Sequence, residues 1–257
     1  MLKKNSQHSL NSSLSLLLFG VFCACLFLAS SLDSYASEKA KRSGVDANKE
    51  STPAFVEKRH SLIENDFNAS LRIHYPSFGA VLVDGDLSTW IHQRINSFKE
   101  GLKDIPVADP EYSTLIIDYA VANTSLRCIS LLFTIKTQTG SPNIEEGLMT
   151  VTYQAQEGRR LTLADIFTNS EGIVDFLSQY CRRALIFRDW IAPEMVFIYQ
   201  GTTPNPVNFM FFTITPYGLD IHFPPNHIAS AFEGTVTVSI PMTELEPFAP
   251  NHELWGK

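Results

Sequence analysis

From Phe67 to Tyr75 the chain alternates without a break. Phe67, Ala69, Leu71, Ile73 and Tyr75 share one face, and Asn68, Ser70, Arg72 and His74 share the other. This period predicts a half-buried strand. The period then changes: Leu87, Trp90, Ile91, Ile95, Phe98 and Leu102 recur at helical spacing. They predict a helix over 87–102 with Asp86 as its cap and Pro106 and Pro110 beyond its end. Alternation returns in 114–122 and 148–155. Between them 126–136 is apolar on both faces, as a central strand should be. The three read as an antiparallel meander. After the turn Gln156-Glu157-Gly158 and the segment LTLADIF (161–167), a stripe of Ile173, Phe176, Leu177, Tyr180, Ala184 and Leu185 predicts a second amphipathic helix over 171–187. GTTPNP (201–206) reads as a loop. Phe209–Thr215 and Leu219–Phe223 flank Pro216-Tyr217-Gly218 as a hairpin. Pro224-Pro225 stops the second arm, 235–240 is a last strand, and 242–245 a closing helical turn. Strand runs with two interspersed helices predict an α+β fold: antiparallel sheets with two amphipathic helices packed on them.

The N-terminus has a different pattern. Lys3 and Lys4 precede a nearly unbroken apolar run, Leu14–Ala29, and Ser34-Tyr35-Ala36 follows. A positive start, an apolar stretch and small residues near a cut site describe an export signal. Residues 1–36 are therefore expected to be a signal peptide cleaved after Ala36, leaving a periplasmic or secreted protein. The run is long enough that 14–32 is the alternative, an uncleaved inner-membrane anchor with the domain outside the cytoplasm. Residues 37–52 carry mixed charge and no apolar period, and read as a flexible spacer. The remainder is expected to divide into subdomains 53–155 and 156–250.

Charge and chemistry narrow the function. The full chain has a net charge of −7; beyond residue 36 there are 18 basic and 26 acidic side chains, a net of −8. Nucleic-acid binding needs clustered Lys and Arg, so no nucleic-acid partner is expected. Only Cys128 and Cys181 lie beyond the leader. In an oxidising compartment they could form a disulfide; two buried free thiols are the alternative. His222 and His227 flank Pro224-Pro225-Asn226, but no third ligand is evident, so no metal and no cofactor are expected. Asp118, Asp165 and Asp220 are the carboxylates in or beside strands, with Asp165 read as a turn cap. Nothing in the chain matches a nucleophile, metalloprotease or phosphate-loop motif, so a non-catalytic protein is expected. Loops on a rigid sheet carry function, which singles out Tyr217, Pro224, Pro225, Asn226 and His227 as the candidate contact surface. Trp190, Phe197 and Tyr199, just before the GTTPNP loop, are aromatics that either pack in the core or face a partner.

The segments GRRLTLADIF (158–167), NFMFFTITPYGLDIHFPPNHIASAFEG (208–234) and TVSIPMTEL (237–245) carry a recognisable series. Gly158, Leu161, Leu163, Asp165, Phe167, Phe212, Thr213, Gly218, Leu219, Phe223, Gly234, Ile240, Pro241 and Leu245 stand at its positions. The series resembles the extracytoplasmic domain of unknown function shared by RsiV-type lysozyme-sensing anti-sigma factors and PdaC-type peptidoglycan deacetylases. Residues 73–76 and the helix 87–102 look like the companion region that precedes that domain. Where the family carries Gly-Gly-Ala-His, this chain has Thr139-Gly140-Ser141-Pro142-Asn143. Neither a cytoplasmic sigma-binding segment nor a deacetylase domain is expected. The resemblance implies a cell-envelope module with a lysozyme-like protein or peptidoglycan-linked partner. A cell-wall hydrolase or deacetylase accessory, and a structural envelope protein, are the competing expectations.

Overall fold

A computed structural model describes residues 55–65, 69–103, 113–189 and 195–256. The leader, the spacer, Phe67, Pro106, Pro110 and Trp190 lie outside the described residues. Six strands form the larger sheet in sequence order: β1 (Lys58–Asn65), β2 (Ser70–Ser77), β3 (Ser113–Thr124), β4 (Cys128–Thr139), β5 (Glu145–Gln154) and the two-residue β6 (Arg159–Arg160). β3, β4 and β5 are the expected antiparallel meander. One pairing differs: β2 runs parallel to β3. The helix α1 (Val81–Gly101) supplies the crossover that two parallel neighbours require.

Helix α1 begins earlier than the sequence predicts. Asp86 is not its cap but lies in its second turn, and Asp84 accepts the backbone N–H groups of Phe78 and Gly79. Val83, Leu87, Ile91, Ile95 and Phe98 are buried against the sheet. There they meet Leu71, Ile73, Leu115, Ile117, Ile129, Leu131, Phe133, Val151 and Tyr153 in the first core. Asp86 crosses from helix to sheet instead. Its Oδ2 accepts from the Tyr153 hydroxyl at 2.6 Å and from Arg160 Nε at 2.8 Å. Burial pushes this carboxyl up, but the hydrogen bonds from Arg160 and Tyr153 and the Arg160 charge outweigh it, so its pKa falls below the ordinary value. A lowered folded pKa means the unfolded chain binds the proton more tightly. The stability Asp86 contributes is then present above the unfolded carboxylate pKa of about 3.9 and is lost as pH falls through the lower folded value. Asp86→Asn is expected to flatten the acid end of a Tm-against-pH curve; an unchanged acid limb would show that other carboxylates govern it.

Gly158 closes the β5–β6 turn at φ +64°, and an added Cβ would stand 2.4 Å from Leu82 Cβ. Only glycine fits both the left-handed backbone and this approach of α1.

The second half builds a three-stranded antiparallel sheet, β7 (Phe212–Thr215), β8 (Gly218–Phe223) and β9 (Val236–Pro241). Its inner face carries Phe212, Ile214, Leu219, Ile221, Phe223, Val236, Val238 and Ile240. Against these pack Ile173, Leu177, Cys181 and Leu185 of α2 (Ile173–Ile186), together with Leu254 and Trp255. The hairpin arm starts at Phe212 rather than Phe209, because Asn205 caps a 3-10 turn over Pro206–Phe209. A short helix, α3 (Met195–Gly201), lies ahead of the expected loop, and α4 (Met242–Leu245) is the expected closing turn. Cys128 and Cys181 are both fully buried in this second core as free thiols. Burial pushes each thiol up to about 12.

The two cores meet through hydroxyls. On β4 the odd positions face α1. On its other face Ser130 Oγ bonds Thr152 Oγ1 at 2.8 Å and accepts the Ile214 N–H at 2.9 Å. Thr150 Oγ1 accepts the Phe212 N–H at 3.1 Å. The outer edge of β7 is thereby satisfied by side chains of the large sheet. This explains why a central strand carries a buried serine. Both cores lie wholly within Pro53–Lys257, which is one compact unit.

Candidate interaction surface

The five candidate contact residues do not form one surface. Tyr217 sits in the β7–β8 turn, where Gly218 begins β8; Pro224 follows its last residue, Phe223. The two groups are therefore separated by the full strand, roughly 20 Å at about 3.3 Å per residue. At the first end the Tyr217 ring is 84% exposed, while its carbonyl accepts the Met242 N–H. The exposed Glu244 of α4 follows close behind.

At the other end, Pro224, Pro225, Asn226 and His227 form a tight turn, with Asn226 at φ +65°. His227 stacks on Phe223 and its Nε2 lies 3.3 Å from the Gly201 carbonyl oxygen. Gly201 has no room for a side chain: an added Cβ would meet Ile228 Cγ2 at 2.6 Å and the His227 carbonyl oxygen at 2.7 Å. The end of α3 is thus pressed onto this turn. Ile198 is the buried anchor of α3, whereas Met195, Val196, Phe197 and Tyr199 are exposed. Arg182 of α2 steadies the group. Its guanidinium lies over the Tyr199 ring, donates to the Thr202 carbonyl and Oγ1, and reaches Ser178 Oγ. Phe197 and Tyr199 therefore resolve in favour of the surface.

The titratable groups are held in structural roles. His222 lies between Thr213 Oγ1 and Thr237 Oγ1, each 2.9 Å from a ring nitrogen, and burial lowers its pKa. It sits on the opposite face of β8 from Phe223, on which His227 stacks, so the two histidines do not converge. Asp165 accepts from the Thr162 N–H and hydroxyl and from Arg159, as the expected cap. Asp118 pairs with Arg59 at the surface. Among the described residues no cluster of three metal-ligating side chains occurs.

Sequence reasoning missed one feature. A groove of about 370 Å³ lies between the outer edge of β5 and the chain leaving β6. Thr150, Thr152, Leu161, Leu163, Met210 and Phe212 line it. Its walls come from 150–152, 161–164 and 206–212, stretches that no single sequence pattern joins.

The small sheet and the helices around it fall within a stretch that matches a family model. Residues 164–243 match the family described as "Protein of unknown function (DUF3298)". The DUF3298 stretch runs from the capped turn through α2, α3 and the small sheet into α4. The chain is also 21% identical over 184 residues to the peptidoglycan-N-acetylmuramic acid deacetylase PdaC of Bacillus subtilis. That match covers 70% of this chain but 39% of the relative's length. Two crystal structures share the fold: a DUF3298 family protein from Pseudomonas aeruginosa (TM-score 0.51, 10% identity, 77% of this chain and 95% of that one) and one from Bacteroides fragilis (TM-score 0.50, 12% identity, 79% and 97%). Their coverage exceeds the DUF3298 stretch, so the six-stranded half belongs to the shared fold as well.

Among the described residues no helix is long and apolar enough to cross a membrane. The expected span at 14–32 lies outside them.

Proposed function

We propose that this chain is an extracytoplasmic cell-envelope module that binds, rather than processes, a lysozyme-like protein or a peptidoglycan-linked partner. The observation that carries the reading is the similarity to a peptidoglycan enzyme across 184 residues, joined to an export-type leader. Binding is favoured over catalysis because His222, Asp86 and Asp165 are engaged in holding strands, helix and turn together. Both thiols are buried, and burial pushes each up to about 12, which favours the protonated, less reactive form. The net charge of −8 beyond the leader suits a basic protein partner and speeds its encounter.

The contact surface proposed is the α3 end: Val196, Phe197, Tyr199, Asn226 and His227. Exposed aromatics on a braced element are the usual anchors of an interface. The test presents purified Pro53–Lys257 to immobilised lysozyme and to peptidoglycan sacculi. Capture by either is expected, with no sugar or acetate released from the sacculi. Phe197→Ala with Asn226→Ala should weaken capture by about 30-fold, the scale of one anchor residue, while Tyr217→Ala leaves it unchanged. Release of sugar or acetate would turn the reading toward a hydrolase. Loss of capture in Tyr217→Ala alone would move the surface to the opposite end of β8.

A further inference from the structure

Helix α1 leaves one corner of the large sheet open. Its buried stripe, from Val83 to Phe98, lies over the first core. Trp90 and Arg94, one turn apart on its flank, face a cleft over the neighbouring ends of β4 and β5. In that corner Ile135 pairs with Gly147 and Thr137 with Glu145. These four residues sit on the α1 side of the sheet. The next pair along, Phe133 and Met149, packs in the first core, and side chains alternate along a strand. The floor and the helix flank bound a volume of about 360 Å³, at the small end of the range for ligand pockets. Gly147 creates this space. Its backbone is outside the left-handed region, and an added Cβ would meet nothing within 4 Å. Neither a turn nor a close approach of backbone therefore requires glycine there. A glycine inside a strand weakens it, and it often marks a place where a ligand comes near.

The lining combines an aromatic with uncommitted polar groups. Trp90 is half-buried, its ring packs on Phe133, and its indole N–H has no partner among the described residues. Glu146 belongs to the opposite face, where Lys136 holds it. The side chains of Arg94 and Glu145 are exposed and make no ion pair among the described residues, and the Thr137 hydroxyl is likewise unpartnered. The cleft thus presents one free cation, one free anion, a hydroxyl and the edge of an indole. A free guanidinium takes a carboxylate through two parallel hydrogen bonds. A free carboxylate takes hydroxyl or amide N–H donors. An indole beside an open glycine floor takes a small ring with an apolar face. We propose that this cleft binds one unit of a glycan, an N-acetylated sugar ring that carries a carboxylate. The ring lies between Trp90 and Gly147, its carboxylate is held by Arg94, and its hydroxyl or amide hydrogens are accepted by Glu145. The assignment rests on the peptidoglycan-linked branch of the proposed function and gives that branch a site of its own, on the six-stranded half, leaving the α3 end to a protein partner.

The experiment titrates Pro53–Lys257 with three probes and follows Trp fluorescence: the soluble disaccharide of peptidoglycan with its acidic arm, neutral chitobiose, and the free stem peptide. Concentrations run to about 5 mM, enough to saturate a site with a Kd near 1 mM. The acidic disaccharide is expected to bind, and chitobiose roughly tenfold more weakly, the scale of a lost charge-assisted hydrogen bond. Arg94→Gln, at an exposed and unpaired side chain, should bring the two sugars to equal affinity. Gly147→Val fills the floor with a residue that suits a strand. It should abolish binding while Tm stays at or above that of the parent, and lysozyme capture should be unchanged. No saturable change with the disaccharide overturns the proposal, as do equal affinity for chitobiose in the parent, tighter binding of the stem peptide, or a preference for the acidic sugar that survives Arg94→Gln. Binding that persists in Gly147→Val overturns it too, and so does a fall in Tm there, which would make the glycine a structural requirement. Any of these failures leaves lysozyme capture at the α3 end standing; a parent that captures neither lysozyme nor sacculi would remove the functional reading itself.

Discussion

Gly218→Ala is expected to destabilise the fold by roughly 3 kcal/mol or more, at the upper end of what overpacking costs. The reason is room. An added Cβ would stand 2.0 Å from the Ile240 carbonyl oxygen and 3.0 Å from the Met242 backbone nitrogen. Neither neighbour can swing aside, because both are main chain of β9 and its continuation into α4. The Gly218 carbonyl also accepts the indole N–H of Trp255 at 3.0 Å, so the displaced backbone would pull the C-terminal turn with it. Thermal unfolding followed by Trp fluorescence measures the effect. A Tm within about 1 °C of the parent would show that β8 and β9 can part without cost, contrary to the packing described.

Phe133→Ala is expected to cost about 3–5 kcal/mol, the usual range for emptying a buried aromatic site. For a unit of this size that lowers Tm by roughly 10 °C. Phe133 is fully buried and packs against Trp90 of α1, with ring centroids 4.9 Å apart. The more informative expectation concerns cooperativity. β4 serves both cores: Ile129, Leu131 and Phe133 belong to the first, and Cys128 to the second. Trp90 reports on one half and Trp255 on the other, so fluorescence and far-ultraviolet circular dichroism should fall together in a single transition. Two separated transitions would mean that the hydroxyl seam between the halves transmits little.

Much of this fold was legible in the chain because the dominant signals were periodic. The alternation in 114–122 and 148–155 and the two-faced apolar run at 126–136 became β3, β5 and the central β4. The helical stripes became α1 and α2. What failed to show was set by contacts distant in sequence. β1 reads KRHSLIEN, a charged edge strand with two adjacent apolar residues and no clean period. The parallel β2–β3 pairing depends on where α1 carries the chain, which no local pattern records. Asp86 looked like a cap because Leu87 follows it; its actual partners, Tyr153 and Arg160, lie 67 and 74 residues away. The candidate surface failed for a simpler reason. Tyr217 and Pro224 are near in sequence, but an extended strand places residues that close in number at opposite ends of the domain. The groove beside β5 was invisible because its walls come from three separate stretches.

The hydroxyl seam also dictates an order of assembly. Phe212 and Ile214 offer their N–H groups to Thr150 and Ser130, residues 62 and 84 positions earlier in the chain. The early half holds its own meander covered by α1 without drawing on the late half's strands. The late half cannot complete the rim of its own sheet until that surface exists. Growth of the chain from its first residue to its last therefore delivers a template before the part that needs one.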